Sequence, residues 1–266
     1  MLSTLPVPAP ALAPIERALV GLRARRGPKA TQGLVTGLVV PAGSRDRWEP
    51  AATLLDGGPA LDRLLDATAA LWSASPHAAA SLAWRSYTYW LSMLAGLGWT
   101  SAHRVPLLTP EDVLYQLDGA DMLLRLGLRR VQLAVLPDDP LVDSPEHARL
   151  VVVDSESELL ALVRHQVRET HLDPLMARVR DRVRLSERAL LGSLASAAAY
   201  SVVRGYQAAP TVVEQAARRL LDALGVADLV TLEPGPAGPQ VRRRTCCLAF
   251  TLPRPKVCSG CCLPTS

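Results

Sequence analysis

All five cysteines of this chain, Cys246, Cys247, Cys258, Cys261 and Cys262, lie in the stretch TCCLAFTLPRPKVCSGCCLPTS, from Thr245 to Ser266. Four of them read C-C-x10-C-x2-C. Four thiolates are the donor set that a tetrahedral zinc ion or an iron–sulfur cluster requires. The C-x2-C half, Cys258 and Cys261, is ordinary in both. The adjacent pair, Cys246 and Cys247, is not typical of zinc, whose structural sites usually draw on two C-x2–4-C turns. Neighbouring side chains diverge, so both reach one tetrahedral ion only with strain. A group with two irons can receive thiolates from more than one direction. On spacing alone, a zinc staple and a cluster both stay open.

The segment RRTCCLAFTLPRPKVCSGCCL resembles the C-terminal signature of the FhuF-type ferric siderophore reductases, in which this cysteine spacing binds a [2Fe–2S] cluster. The likeness includes the arginines before the cysteine pair, the aromatic-aliphatic stretch after it and the leucine beyond the last ligand. A fainter likeness runs through HLDPLMARVRDRVRLSERALLGSLASAAAY. The N-terminal third carries no such signature. The resemblance implies that Cys246, Cys247, Cys258 and Cys261 are cluster ligands. Cys262 departs from the pattern, since the family usually has another residue type there: it could compete with Cys261 for one iron, but the x2 spacing already closes the loop, so it reads as a bystander. The implied activity is one-electron reduction of siderophore-bound Fe(III) to Fe(II), which hard oxygen donors hold far more weakly, so that iron is released. The implied substrate is a ferric siderophore.

Other chemistry finds little support. No G-x-G-x-x-G follows an expected strand and no flavin motif is present, so electrons are expected from an external donor such as a ferredoxin or a reductase. No G-x-S-x-G elbow or P-loop supports a hydrolase or NTPase. The five histidines form no pair at helical i, i+4 spacing; His165 and His171 read as surface or capping residues, and Asp138-Asp139 as a solvated turn. Two readings compete with the reductase: a zinc-stabilised binding or regulatory protein, and an iron–sulfur electron carrier that never handles siderophores.

Charge narrows the partners. The net charge is +4, with basic clusters at Arg23 to Arg26, along Arg178 to Arg188 and at Arg242 to Arg244. A nucleic-acid binder usually shows a denser stripe or a reading motif, so no nucleic acid is expected. Arg242, Arg243, Arg244, Arg254 and Lys256 flank the cysteines. Cations there would favour a reduced cluster or attract an anionic ferric complex or an acidic ferredoxin. A plainly solvated basic tail is the bland alternative.

The elements that must position this chemistry can be read from periodicity. At 266 residues, 49% of them apolar, the chain can bury a large core of Leu, Val and Ala. Helical spacing marks Ile15 to Arg26, most of Asp46 to Trp99, and four segments after Ser155. Ser155 with Glu158 makes a capping box, Ser186 an N-cap, and Pro210 with Gly225 bracket the last helix. GLVTGLVV reads as a strand. Between Pro106 and Val153, short branched runs separated by turns such as Asp118-Gly119, Pro137-Asp138-Asp139 and Ser144-Pro145 predict a small antiparallel sheet, their connections being short for helical crossovers. The expected fold is α+β: a mainly helical body at 1–233, a Pro/Gly linker at 234–240, and a cysteine-rich cluster-binding tail at 241–266. The prolines near the N-terminus argue against a signal peptide, and no apolar run reaches the roughly 18–20 residues that span a bilayer. Clustered thiols suit a reducing compartment. The expected location is cytoplasmic, with peripheral membrane contact left open.

Overall fold

The computed structural model describes residues 10–117, 123–143, 149–258 and 260–263. The Asp118-Gly119 and Ser144-Pro145 turns lie outside these residues. The fold is α+β and mainly helical. Its helices are α1 (Ala13–Arg26), α2 (Ala52–Leu55), α3 (Pro59–Trp72), α4 (Pro76–Ala102), α5 (Glu156–Val163), α6 (Asp173–Arg182), α7 (Glu187–Gly205) and α8 (Pro210–Ala223). The strands are β1 (Leu34–Val39), β2 (Glu49–Pro50), β3 (Val105–Pro106), β4 (Val113–Leu117), β5 (Leu124–Leu128), β6 (Gln132–Val135), β7 (Arg149–Val152), β8 (Val230–Glu233) and β9 (Gln240–Arg243).

α4 is the axis. Its apolar residues run nearly all round, and it is buried on most sides, as such a composition requires. α7 packs along it, with α1 and α3 also against it and α8 against α7. Close approach of α4 and α7 depends on small residues. A Cβ on Gly96 would lie 2.0 Å from the Ser201 hydroxyl oxygen, so only glycine fits. The Trp84 indole N–H reaches the Leu190 carbonyl at 2.8 Å and sets the register of the two helices.

The caps follow the expected chemistry. The Ser155 hydroxyl accepts from the Glu158 N–H, and the Glu158 carboxylate reaches back to the Asp154 N–H. Ser186 caps α7, and Gly225 closes α8 at φ +65°. α5 does not simply stop. A nine-residue π-helical stretch, Arg164–Leu172, joins it to α6 and turns His171 into the core.

The strands form three small sheets among the described residues, ordered β1-β5-β4-β2, β3-β6-β7 and β8-β9. The expectation of a purely antiparallel sheet needs correction, because β1 with β5 and β6 with β7 pair in parallel. β1 precedes α2–α4 in the chain and meets β5 only after that helical passage. The connection from β6 to β7, residues 136–148, is long enough to bring the chain back in the same direction.

Residues 234–239, expected to be a spacer, join two paired strands. β8 and β9 form an antiparallel hairpin in the register Val230↔Arg243 to Glu233↔Gln240. Gly238 takes φ +111° in its loop, a backbone region that side chains disfavour. β9 then packs on α7, so the chain enters the cysteine segment already docked on the body. Among the described residues no helix is long and apolar enough to cross a membrane.

Candidate metal centre and adjoining cleft

Strand alternation begins the site. Val241 and Arg243 point inward from β9, while Gln240 and Arg242 point out. Arg243 is only 3% exposed and donates to the Ser193 hydroxyl of α7 at 2.9 Å. Its neighbours have other partners: Arg242 pairs with Glu233 and also donates to the Cys261 carbonyl at 3.3 Å, and Arg244 reaches Thr231 and the Asp228 carbonyl.

After Thr245 the chain crosses the N-terminal part of α4. Ser81 donates its hydroxyl to the Cys247 carbonyl at 3.0 Å. Cys247, Ala249 and Leu252 pack with Ala78 and Leu82 in a small apolar cluster of their own. Leu248 adopts the left-handed conformation, φ 61° and ψ 7°, costly for a branched residue and characteristic of sites where a loop is held for a purpose. The chain then returns: Lys256 N–H bonds to the Ala249 carbonyl, and Arg243 N–H to the Gly260 carbonyl at 2.8 Å. Gly260 lies so close to β9 that a Cβ there would be 2.1 Å from the Val241 carbonyl oxygen. That return brings the two halves of the cysteine motif together.

The four expected ligands differ in their surroundings. The thiols of Cys247, which is buried, and Cys258 act on each other. The neighbouring Cys258, with Arg85 and Arg243 nearby and the Ala249 N–H, pulls the Cys247 thiol down against the upward pull of burial. Cys247 and burial push the Cys258 thiol far up. Arg85 stands 3.6 Å from the Cys247 sulfur. Cys246 and Cys261 share another feature: each sulfur accepts a backbone N–H from two residues on, Leu248 at 3.3 Å and Leu263 at 3.4 Å. Cys262 lies within electrostatic reach of both Cys246 and Cys261; burial first, then their charges, raise its thiol. All five cysteines are free of disulfides.

Among the described residues, no three His, Cys, Asp or Glu side chains converge on a single ion position. Four ligands closing on one tetrahedral ion would need that convergence. Four thiols carried on these two arms are the donor set of either a mononuclear or a dinuclear group.

Beside Cys258 opens a cleft of about 680 Å³. α1, α3, α4, β5, the end of α7 and the returning tail contribute its walls. Among the described residues, five cations line it, Arg26, Lys29, Arg85, Arg204 and Lys256, and no carboxylate does. A second cavity of about 60 Å³ lies behind, bounded by Arg85, Arg204, Arg243 and Cys258. Cys258 is the one cysteine in either wall.

Of the flanking cations noted in the sequence, Arg243 and Lys256 face this region. Arg85 and Arg204 were not singled out from the sequence. Arg85 offered one signal: it is the only Asp, Glu, Lys or Arg in the 27 residues of α4. Arg204 offered none, because its role depends on the packing of α7 against α4.

Two further expectations need correction. His171 is neither at the surface nor a cap. It is fully buried, with Nδ1 2.8 Å from the Leu108 carbonyl and Nε2 2.6 Å from the Tyr87 hydroxyl. A carbonyl only accepts, so Nδ1 carries the proton and Nε2 accepts from Tyr87. Burial lowers its pKa to about 4. Asp139 is not a solvated turn residue either: Arg104 grips both its oxygens, at 2.6 and 2.9 Å. His165 remains exposed beside Glu169.

No family model matches this chain, and no curated protein matches it.

Proposed function

We propose that the chain is a ferric-siderophore reductase that holds a [2Fe–2S] cluster on Cys246, Cys247, Cys258 and Cys261. The observation that carries the reading is a shared wall: Cys258 belongs both to the paired thiols and to a cationic cleft of small-molecule size. The motif's likeness to the FhuF-type tail supports it, and the adjacent Cys246 and Cys247, not typical of a zinc staple, favour it over a structural zinc. When bound, such a cluster would supply one electron at a time to a ferric ion in the cleft.

The chain's own residues would do the rest. Arg85 and Arg243 place positive charge beside the buried Cys247, which stabilises thiolate ligands and raises the potential of the group they hold. Ser81 and the Gly260 carbonyl lock both arms of the motif to the body. The cleft cations orient the substrate with its metal toward Cys258. One electron from an external donor, a ferredoxin or a reductase, converts one Fe(III) to one Fe(II); no siderophore bond breaks, and the ferrous ion exchanges to other ligands. Free thiols and this chemistry suit the cytosol, with the siderophore delivered there.

The test is visible absorption and low-temperature EPR of anaerobically purified protein before and after dithionite, followed by iron transfer from a ferric siderophore to a ferrous chelator. A red-brown protein that bleaches and gains a spin-half signal is expected. Cys258→Ser, still folded, should lose the iron transfer. A colourless protein with stoichiometric zinc overturns the reading. A cluster without any siderophore turnover leaves an electron carrier.

A further inference from the structure

The cleft is specific in its chemistry. Its volume, about 680 Å³, is that of a site for a sizeable small molecule. Among the described residues, none of Arg26, Lys29, Arg85, Arg204 and Lys256 pairs with a carboxylate, and no carboxylate shares the wall with them, although Arg85 also reaches the Cys247 sulfur. Clustered cations repel one another, so such a wall is stable only if solvent or an anionic occupant compensates it. Behind it the same sign persists. Arg204 and Arg243 both border the smaller cavity, and the buried Nε of each has no hydrogen-bond partner.

Between the cations stand aromatic faces. Trp72, Tyr89 and Trp90 line the cleft, with Leu71, Leu82 and Leu252 completing its apolar surface. Arg204 is itself stacked 3.9 Å from the centre of the Tyr200 ring, which holds its guanidinium plane in place. Cations without carboxylates select negative charge, and aromatic and leucyl surface selects flat apolar rings.

We propose that the cleft takes a polyanionic, ring-bearing ferric complex, a tris-catecholate, in preference to neutral or cationic tris-hydroxamate complexes. Three catecholate dianions around a trivalent metal leave a net charge of three negative and present aromatic edges on every side. Three hydroxamates leave none, and a pendant amine makes the complex positive. A citrate complex carries negative charge without rings. This inference rests on the reductase reading for its metal, so its test separates binding from reduction.

Gallium(III) forms the same complexes and is not reduced under these conditions. The affinities of holoprotein for gallium tris(2,3-dihydroxybenzamide), gallium desferrioxamine B and gallium citrate are measured by titration calorimetry. The tris-catecholate should bind at least about tenfold more tightly than either of the others, and more weakly as salt rises. Arg26→Gln with Lys29→Gln, both exposed positions, should weaken it by about tenfold while the thermal transition stays in place. Arg204→Met should weaken it as well. Tighter or equal binding of the desferrioxamine complex overturns the proposal, as does citrate matching the catecholate, because the rings would then add nothing. If the gallium catecholate binds as stated and its ferric counterpart is never reduced, the substrate class stands and the reductase reading falls. If ferric desferrioxamine is turned over while the gallium catecholate does not bind, the reductase reading stands and the class falls.

Discussion

Two sets of cations in this molecule differ in one respect that decides what they do. Arg164, Arg168, Arg178, Arg180, Arg182 and Arg188, on and around α5 to α7, each stand against a carboxylate: Glu169, Asp173, Asp181, Glu187, Asp62 and Asp228 respectively. Arg26, Lys29, Arg85, Arg204 and Lys256 line one cleft with no carboxylate among the described residues of its wall. The first set is the denser in sequence, yet it presents little free charge. The second comes from four separate places in the chain and concentrates charge at one point. Density of arginine along a chain therefore says little about where an anion would bind; the placement of acids in the fold says more. Groups whose partners lie within the protein serve stability, and groups left open are available to a ligand.

The strongest way to break that contrast is at the most enclosed pair. Arg104 and Asp139 are 12% and 8% exposed and joined by two bonds. Asp139→Asn leaves a buried guanidinium without its counter-charge, which costs about 3–5 kcal/mol. Urea unfolding should show that loss, with binding in the cleft unchanged in the folded protein. A loss no larger than that of a surface pair would mean that enclosure does not divide the two sets.

His171 sharpens the contrast next, because its partners are wholly internal. Its pKa is about 4 in the fold against 6.5 for the free side chain. Between those values the unfolded chain binds a proton that the native protein does not, so stability rises with pH and is lost as pH falls from 6.5 toward 4. The fully buried group makes this about 3 kcal/mol. Urea midpoints at pH 7.5, 5.5 and 4.5 should follow that slope. His171→Gln, which keeps a donor for Leu108 and an acceptor for Tyr87, should flatten it. An equally steep profile in His171→Gln would assign the slope to other groups.

Gly260 tests the junction between the closed body and the open cleft. A Cβ there would press into the Val241 carbonyl and the Tyr200 hydroxyl, at 2.1 and 2.6 Å. Gly260→Ala should cost about 1–3 kcal/mol, the usual range for overpacking. Its sharper consequence is at the thiols, since the Gly260 carbonyl holds the returning arm to Arg243. Iron content after anaerobic reconstitution should fall well below that of the parent, while far-ultraviolet circular dichroism stays the same. Full iron content in Gly260→Ala would show that the return does not depend on this contact.

What the sequence makes legible, and what it hides, follows the same division. The caps at Ser155 and Ser186 and the stop at Gly225 are local chemistry, and each appears where its residues stand. The cysteine spacing is local too, and it points to a metal group without the fold. The π-helical stretch is not legible, because Arg164–Leu172 has ordinary helical composition, and the contacts of its buried His171, to Tyr87 and Leu108, are with residues far away in the chain. Parallel pairing of β1 with β5 depends on what the intervening helices do, not on either strand's pattern. The hairpin of β8 and β9 escapes because PGPAGPQ reads as a spacer, although proline and glycine serve a loop equally well. The cleft is the least legible of all, since residues from Arg26 to Lys256 become neighbours only through the packing of α1, α4 and α7 and the return of the tail.

The smallest expected effect is also the cleanest control on the opening contrast. Arg180 and Glu187 lie 3.1 Å apart with side chains 45% and 53% exposed. Solvent screens such a pair, and holding two long side chains together has its own entropic cost, so Arg180→Ala should change stability by less than about 1 kcal/mol. It should leave gallium tris-catecholate affinity where it was, because a cation already matched by Glu187 adds little field at the cleft. Arg26→Gln with Lys29→Gln removes exposed cations of the same kind and should move affinity without moving stability. If Arg180→Ala weakens the complex as much as that double substitution, net charge alone governs binding, and the arrangement of the cleft wall does not matter.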